Sequence, residues 1–110
     1  MLLSSPVGRQ NAFEDDPSIL YFSQHRYEGG QFYPGGPGGG AHKVGEGEGK
    51  GFNVNVPWSS GDMGDSEYLS SFYRVLLPIA AQFAPEIVLV SAGFDAARGD
   101  PLGDSALPWS

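Results

Sequence analysis

Functional side chains of α/β proteins collect just past the carboxyl ends of buried strands. Asp95 stands in such a place, behind the apolar run Ile87-Val88-Leu89-Val90 and the link Ser91-Ala92-Gly93-Phe94. A carboxylate there can hold a metal or move a proton; it can also simply cap a following helix, and on physical grounds both readings stand. The chain has two histidines and no cysteine, so a transition metal would have to be held by His, Asp or Glu. His25 closes an apolar strand, where a lone histidine is more often a hydrogen-bonded structural residue than a ligand. His42 lies among glycines and reads as solvated. The run Gly45-Glu46-Gly47-Glu48-Gly49-Lys50-Gly51 invites a phosphate-loop reading. That motif needs a strand before it and Ser or Thr and a helix behind it, whereas here a strand follows and two glutamates would repel phosphate. The run reads as a flexible, turn-rich connector.

The elements that must position these residues are legible in the spacing. Ser18 to His25, rich in aromatic and aliphatic residues after the breaker Asp15-Asp16-Pro17, predicts a strand near 19–23. Eleven of the seventeen glycines fall between Gly29 and Gly51, which predicts a long loop whose Phe32-Tyr33 pair docks against the body. Asn53-Val54-Asn55-Val56 alternates as a short strand before Pro57. Leu69, Phe72, Tyr73, Leu76, Leu77, Ala80 and Phe83 recur at helical steps, with Asp62 and Asp65 as cap candidates, Glu67 at the positive end of the dipole and Pro85 as the stop. Pro78 lies inside that pattern, so the helix near 65–83 is expected to kink or lose its last turn. The apolar run at 87–91 predicts a central parallel strand buried on both faces. Residues 53 to 91 thus read as a βαβ unit with a right-handed crossover.

Length and charge bound the function. The chain of 110 residues is one domain at most, carries a formal net charge of −7, and holds no apolar run long enough to span a bilayer. A broad grip on nucleic acid phosphates is disfavoured, while a basic partner has the sign that suits the chain. The start lacks the basic and apolar regions of a secretory signal, so a cytoplasmic or nuclear location is expected, without direct nucleic acid or membrane partners.

Several dispersed motifs, in order, resemble the zinc-dependent histone deacetylases of class II. They are Asp16-Pro17-Ser18-Ile19-Leu20-Tyr21; Ser23-Gln24-His25-Arg26-Tyr27 with Phe32-Tyr33-Pro34-Gly35; Gly51-Phe52-Asn53-Val54-Asn55; Met63-Gly64-Asp65 with Glu67-Tyr68; and Val88 to Ala96 with Gly99-Asp100-Pro101-Leu102-Gly103. The wording Ser-Ala-Gly-Phe-Asp and Gly-Asp-Pro-Leu-Gly is most similar to the class IIb domains. The resemblance implies a partial parallel-sheet, three-layer α/β fold of the arginase and deacetylase type over residues 10–103, between a divergent start at 1–9 and a divergent tail at 104–110.

Carried over residue by residue, the resemblance makes Asp95 one of three zinc ligands. Tyr33 corresponds to an aromatic wall of the acetyl-lysine tunnel, with a hydroxyl where phenylalanine is usual, and Leu102 to an apolar residue at the rim. The Ser23 hydroxyl and the carbonyl of Gln24, which stands where leucine is usual, correspond to ligands of a buried potassium or sodium ion. The Phe52 carbonyl corresponds to a ligand of a second such ion. Asp95 and Phe32-Tyr33 are expected at one sheet edge, because both flank one pocket in the family.

Where the family carries an Asp-x-His-His-Gly-Asn-Gly-Thr run with the other two zinc ligands, these positions read Leu3-Ser4-Ser5-Pro6-Val7-Gly8-Arg9. The family's general-base histidine pair and transition-state tyrosine have no counterpart in the 110 residues. Hydrolysis of an acetyl-lysine amide by this route needs the metal, the base and an oxyanion donor. Two readings follow: a segment of a deacetylase of histones or other proteins, inactive as this chain, or a noncatalytic truncated product that at most binds partners. Marginal folding and association through exposed sheet edges are expected of the isolated chain.

Overall fold

The computed structural model describes residues 1–3, 7–27, 36–59 and 63–91. Its centre is a sheet of four parallel strands, β1 (Leu2–Leu3), β2 (Tyr21–Arg26), β3 (Asn53–Trp58) and β4 (Leu89–Val90), in the order β3-β2-β1-β4. Helix α1 (Val7–Phe13) joins β1 to β2. The long segment after β3 is helical as α2 (Asp65–Ser71), a π turn (Phe72–Leu76) and α3 (Leu77–Phe83).

The turn from α1 into β2 is local chemistry. The Asp16 carboxylate accepts the Ser18 hydroxyl at 2.6 Å and the Ser18 amide at 2.9 Å, and these bonds hold its pKa below the ordinary carboxylate value. The Ile19 amide still bonds the Asp16 carbonyl, so the strand starts at Tyr21 rather than at residue 19. Leu20, Tyr21 and Phe22 are buried and form the apolar core together with Leu76 from the helix.

β3 runs on through Pro57 to Trp58, two residues beyond the expected end. Proline lacks only a donor, and β3 is an edge strand, so the loss is tolerated. The ladder is carried past it by the Tyr27 amide, which donates to the Trp58 carbonyl at 2.9 Å.

Helix α2 is capped by Gly64, with Asp65 inside the first turn rather than at the cap. Glu67 reaches back to accept the Gly64 amide at 2.8 Å, half of a capping box, since glycine has no side chain to complete it. Asp62 lies outside the described residues. Pro78 is accommodated not by a break but by the widened turn ahead of it, where the Leu77 amide bonds the Phe72 carbonyl. Proline cannot donate to the Arg74 carbonyl and its ring would crowd it, and the π turn that ends just ahead of it widens the helix there. Ala84, left-handed at φ 53°, then ends the helix, its amide donating to the Ala80 carbonyl at 2.8 Å.

Alternation along the strands separates two faces. Tyr21, Ser23 and His25 of β2 lie opposite Asn53, Asn55 and Pro57 of β3 and face α1 and the loop over 36–52. The other face carries the long helix, where Trp58 meets Tyr68 at a ring distance of 5.4 Å, and Phe52, just ahead of β3, meets Phe83 at 6.0 Å. Helix, sheet and loop-plus-helix make the layered α/β arrangement.

The run at 87–91 departs from expectation. β4 is two residues long, lies at the edge of the sheet that the described residues form, and leaves Ile87, Val88, Leu89 and Val90 exposed, at 67%, 48%, 61% and 65%. Among the described residues only β1 pairs with it, so the burial that its composition encodes has no partner on its outer side. β3 and β4 are also not neighbours: the connection through the helix crosses the sheet from one edge to the other.

Candidate functional site

The face of β2 and β3 that receives α1 is lined with polar side chains, and nearly all are buried: Gln10, Ser23, Asn53 and Asn55. Burying amides and hydroxyls requires partners, and most of the partners here are carbonyls of the glycine-rich loop. The Gln10 amide donates to the Gly38 carbonyl at 2.7 Å, and the Asn55 amide donates to the Lys43 carbonyl at 3.0 Å and to the Gln10 side-chain oxygen. His25 Nε2 lies 2.8 Å from the Gly39 carbonyl and Nδ1 lies 2.8 Å from the Ser23 hydroxyl. Three side chains, from α1, β2 and β3, thus grip the loop at Gly38, Gly39 and Lys43.

Glycine is what allows the grip. A Cβ on buried Gly39 would stand 2.6 Å from His25 Nε2, inside any real contact. Gly45-to-Gly51 is turn-rich, as expected, but it is a docked turn and not a flexible connector. Gly49 is buried, the Glu46 amide bonds the Glu14 carbonyl at 2.7 Å, and the Gly51 amide bonds the Val44 carbonyl at 2.6 Å. Backbone-to-backbone approach replaces the apolar side chains that the loop lacks.

Both nitrogens of His25 are engaged, and burial pushes its pKa below the ordinary 6.5, opposed in part by the bond to Gly39. With both nitrogens taken by these partners, it is a structural imidazole rather than a metal ligand. His42 is exposed. Among the described residues no three His, Asp or Glu side chains come together as a metal site, so no described donor set fits zinc. Asp95, Tyr33 and Leu102, and with them the expected meeting of Asp95 and Phe32-Tyr33 at one sheet edge, lie outside the described residues.

The oxygens that the resemblance would give to monovalent cations lie among the described residues. Ser23 is 2% exposed, with its hydroxyl on the α1 face, while the Gln24 side chain points to the helix face, where its oxygen is buried without a partner among the described residues. Any Gln24 ligand on the Ser23 side is therefore the backbone carbonyl. The Phe52 carbonyl accepts the Tyr21 amide at 2.9 Å, which leaves it a second lone pair. A hydroxyl and peptide carbonyls are the oxygen donors that alkali ions take, so the donor chemistry of Ser23 and Gln24 suits one such ion and that of Phe52 a second.

The residue order gives little sign that Gln10, Asn53 and Asn55 form a buried polar cluster. The only signal was the alternation of Asn53 and Asn55 onto one face of β3, which ordinarily means a solvated face. Asn53 is 1% exposed, and neither polar atom of its side chain has a partner among the described residues.

Comparison with known proteins agrees with this geometry. The histone deacetylase domain family matches residues 7–110. The chain is 59% identical to the polyamine deacetylase HDAC10 of Rattus norvegicus over 96 residues, 87% of this chain and 16% of that protein. It is 57% identical to histone deacetylase 15 of Arabidopsis thaliana over 96 residues, 87% of this chain and 17% of the relative. Histone deacetylase clr3 of Schizosaccharomyces pombe is 54% identical over 100 residues, 91% of this chain and 15% of that one. Among solved structures, the HDA15 HD domain superimposes with a TM-score of 0.90 at 51% identity, over 96% of this chain and 31% of that chain. The histone deacetylase Clr3 superimposes with a TM-score of 0.93 at 50% identity, over 96% and 19%. The chain spans about a sixth of the curated relatives it matches. No helix among the described residues is long and apolar enough to cross a membrane. With the polar-faced parallel sheet, the ordered motifs and these matches in agreement, the chain belongs to the histone deacetylase family, as a segment of a class II domain most similar to the class IIb branch.

Proposed function

We propose that residues 10–103 serve a zinc-dependent protein lysine deacetylase domain, which hydrolyses the acetyl-lysine amide of a histone or another protein, and that the 110-residue chain is inactive by itself. The observation that carries the reading is the family match over residues 7–110, with sequence identity above half to several deacetylases. In the complete domain zinc would polarise the amide carbonyl and acidify a bound water. This chain would bring Asp95 to that ion, Tyr33 and Leu102 to the substrate tunnel, and the Ser23 hydroxyl with the Gln24 carbonyl to a potassium or sodium ion, with the Phe52 carbonyl at a second. One zinc ligand of three leaves a metal mostly hydrated and unpositioned. Exposed Ile87 to Val90 are then a surface that the rest of a domain would cover.

A second reading within the same chemistry is an acetylated polyamine as substrate, favoured by the rat relative's being a polyamine deacetylase. Grafting residues 10–103 in place of their counterpart in the fission yeast relative tests the assignment. The chimera is expected to deacetylate a lysine peptide and to lose activity by orders of magnitude on Asp95→Ala; an active Asp95→Ala chimera would sink the ligand assignment. The isolated chain is expected to neither retain zinc on dialysis nor turn over peptide. Near-stoichiometric zinc with activity abolished by Asp95→Ala would overturn the inactivity.

A further inference from the structure

The hydrogen bonds around His25 leave one consistent arrangement of protons. The Gly39 carbonyl can only accept, so Nε2, 2.8 Å away, must carry hydrogen. A neutral imidazole has one such hydrogen, which leaves Nδ1 bare and able only to accept. The Ser23 hydroxyl, 2.8 Å from Nδ1, must therefore donate its single proton to the ring. Among the described residues no donor takes either lone pair of the Ser23 oxygen, on a residue 2% exposed to water. At neutral pH an imidazole is mostly in this singly protonated form, and a second proton would reverse the Ser23 bond.

We infer that His25 is a positioning residue for a monovalent cation: the Gly39 carbonyl fixes its tautomer, and the tautomer turns the Ser23 oxygen toward the ion as a pure acceptor. The inference rests on the reading of Ser23 and Gln24 as cation ligands and adds the residue that orients the hydroxyl. It also ties the ion to the glycine-rich loop. Gly39 lacks the Cβ that would collide with Nε2, so the loop carbonyl can reach the ring. Any displacement of that turn releases Nε2 and with it the constraint on Ser23.

The test uses the 15N-labelled 110-residue chain. It holds only two histidines, and exposed His42 supplies an internal reference for an unconstrained ring. Long-range 1H–15N spectra are expected to show His25 as the Nε2–H tautomer with an acceptor Nδ1; an Nδ1–H ring overturns the inference. Thermal unfolding in potassium chloride against choline chloride at equal ionic strength reads the ion. Potassium is expected to raise the wild-type midpoint, and Ser23→Ala to remove the part due to this site. His25→Phe should require at least tenfold more potassium for the same shift, while His25→Asn, whose Oδ1 stands near the place of Nδ1, should keep most of it. If wild type responds and His25→Phe responds equally, the positioning role is wrong and the cation reading survives. If wild type does not respond to potassium or sodium, the cation reading itself fails and takes the inference with it. Should His25→Phe not fold, the wild-type tautomer and the His25→Asn response decide.

Discussion

Gly49→Ala is a substitution whose cost the structure fixes closely. A Cβ built there would lie 2.4 Å from the Glu14 carbonyl oxygen, 2.7 Å from the Asp15 carbonyl carbon and 2.8 Å from the Asp15 Cα, against 3.4 Å for an ordinary contact. All three atoms are backbone, so relief needs a shift of about 1 Å between the loop and the end of α1 rather than a rotamer change. Overpacking of this kind costs about 1–3 kcal/mol. The shift also strains the Glu46 amide bond to the Glu14 carbonyl, 2.7 Å long, worth about 1 kcal/mol. The sum, ~2–4 kcal/mol, lowers the folding constant by roughly thirtyfold to a thousandfold and the urea midpoint by about 1 M or more. Gly47→Ala is the matched control. Gly47 sits at φ 52° with nothing within 4 Å of a built Cβ, so it carries only left-handed strain of about 1 kcal/mol. Urea unfolding followed by far-ultraviolet circular dichroism measures both. If Gly49→Ala unfolds with the same midpoint as Gly47→Ala or the wild type, the docking of the loop on α1 is wrong.

Three further outcomes are expected. Gln10→Ala and Asn55→Ala should each destabilise by about 1–3 kcal/mol through unpaired buried polar groups, and the double variant by clearly less than the sum, because they share a bond; additive losses in a double-mutant cycle would contradict the shared bond. Stability should fall as pH drops below about 6.5, the ordinary value for His25, because the unfolded chain takes up a proton that the buried ring refuses. The groups facing that ring are the Ser23 hydroxyl, the Gly39 carbonyl and the Tyr27 ring; a urea midpoint flat between pH 7 and 5 in His42→Gln would refute the assignment. Leu89→Lys, at an exposed position of the β4 edge, should reduce self-association in sedimentation velocity, and a wild-type chain that sediments as a monomer at high concentration would remove the basis for it.

The elements with strong local signals were legible in the order of residues. Leu69 to Phe83 at helical steps announced the helix, and the aromatic and aliphatic residues behind Asp15-Asp16-Pro17 announced β2, because periodicity and breakers act within a few residues. The family was legible too, since its motifs keep their order along the chain. β1 and α1 were not. Helix α1 has no acidic residue in its first turn and no basic one in its last, and β1 is two residues long, so no local preference marks either. α1 is held from outside, through Gln10 to Gly38 and Asn55. The composition of Ile87 to Val90 spoke for burial, but whether a strand is central or an edge depends on what pairs with it. The polar clamp on the loop was likewise decided by tertiary structure alone. Asn53-Val54-Asn55 states which side chains share a face and leaves open whether water or a neighbouring backbone satisfies them. Here the answer came from carbonyls of residues 38, 39 and 43, which only the folded chain brings over the sheet.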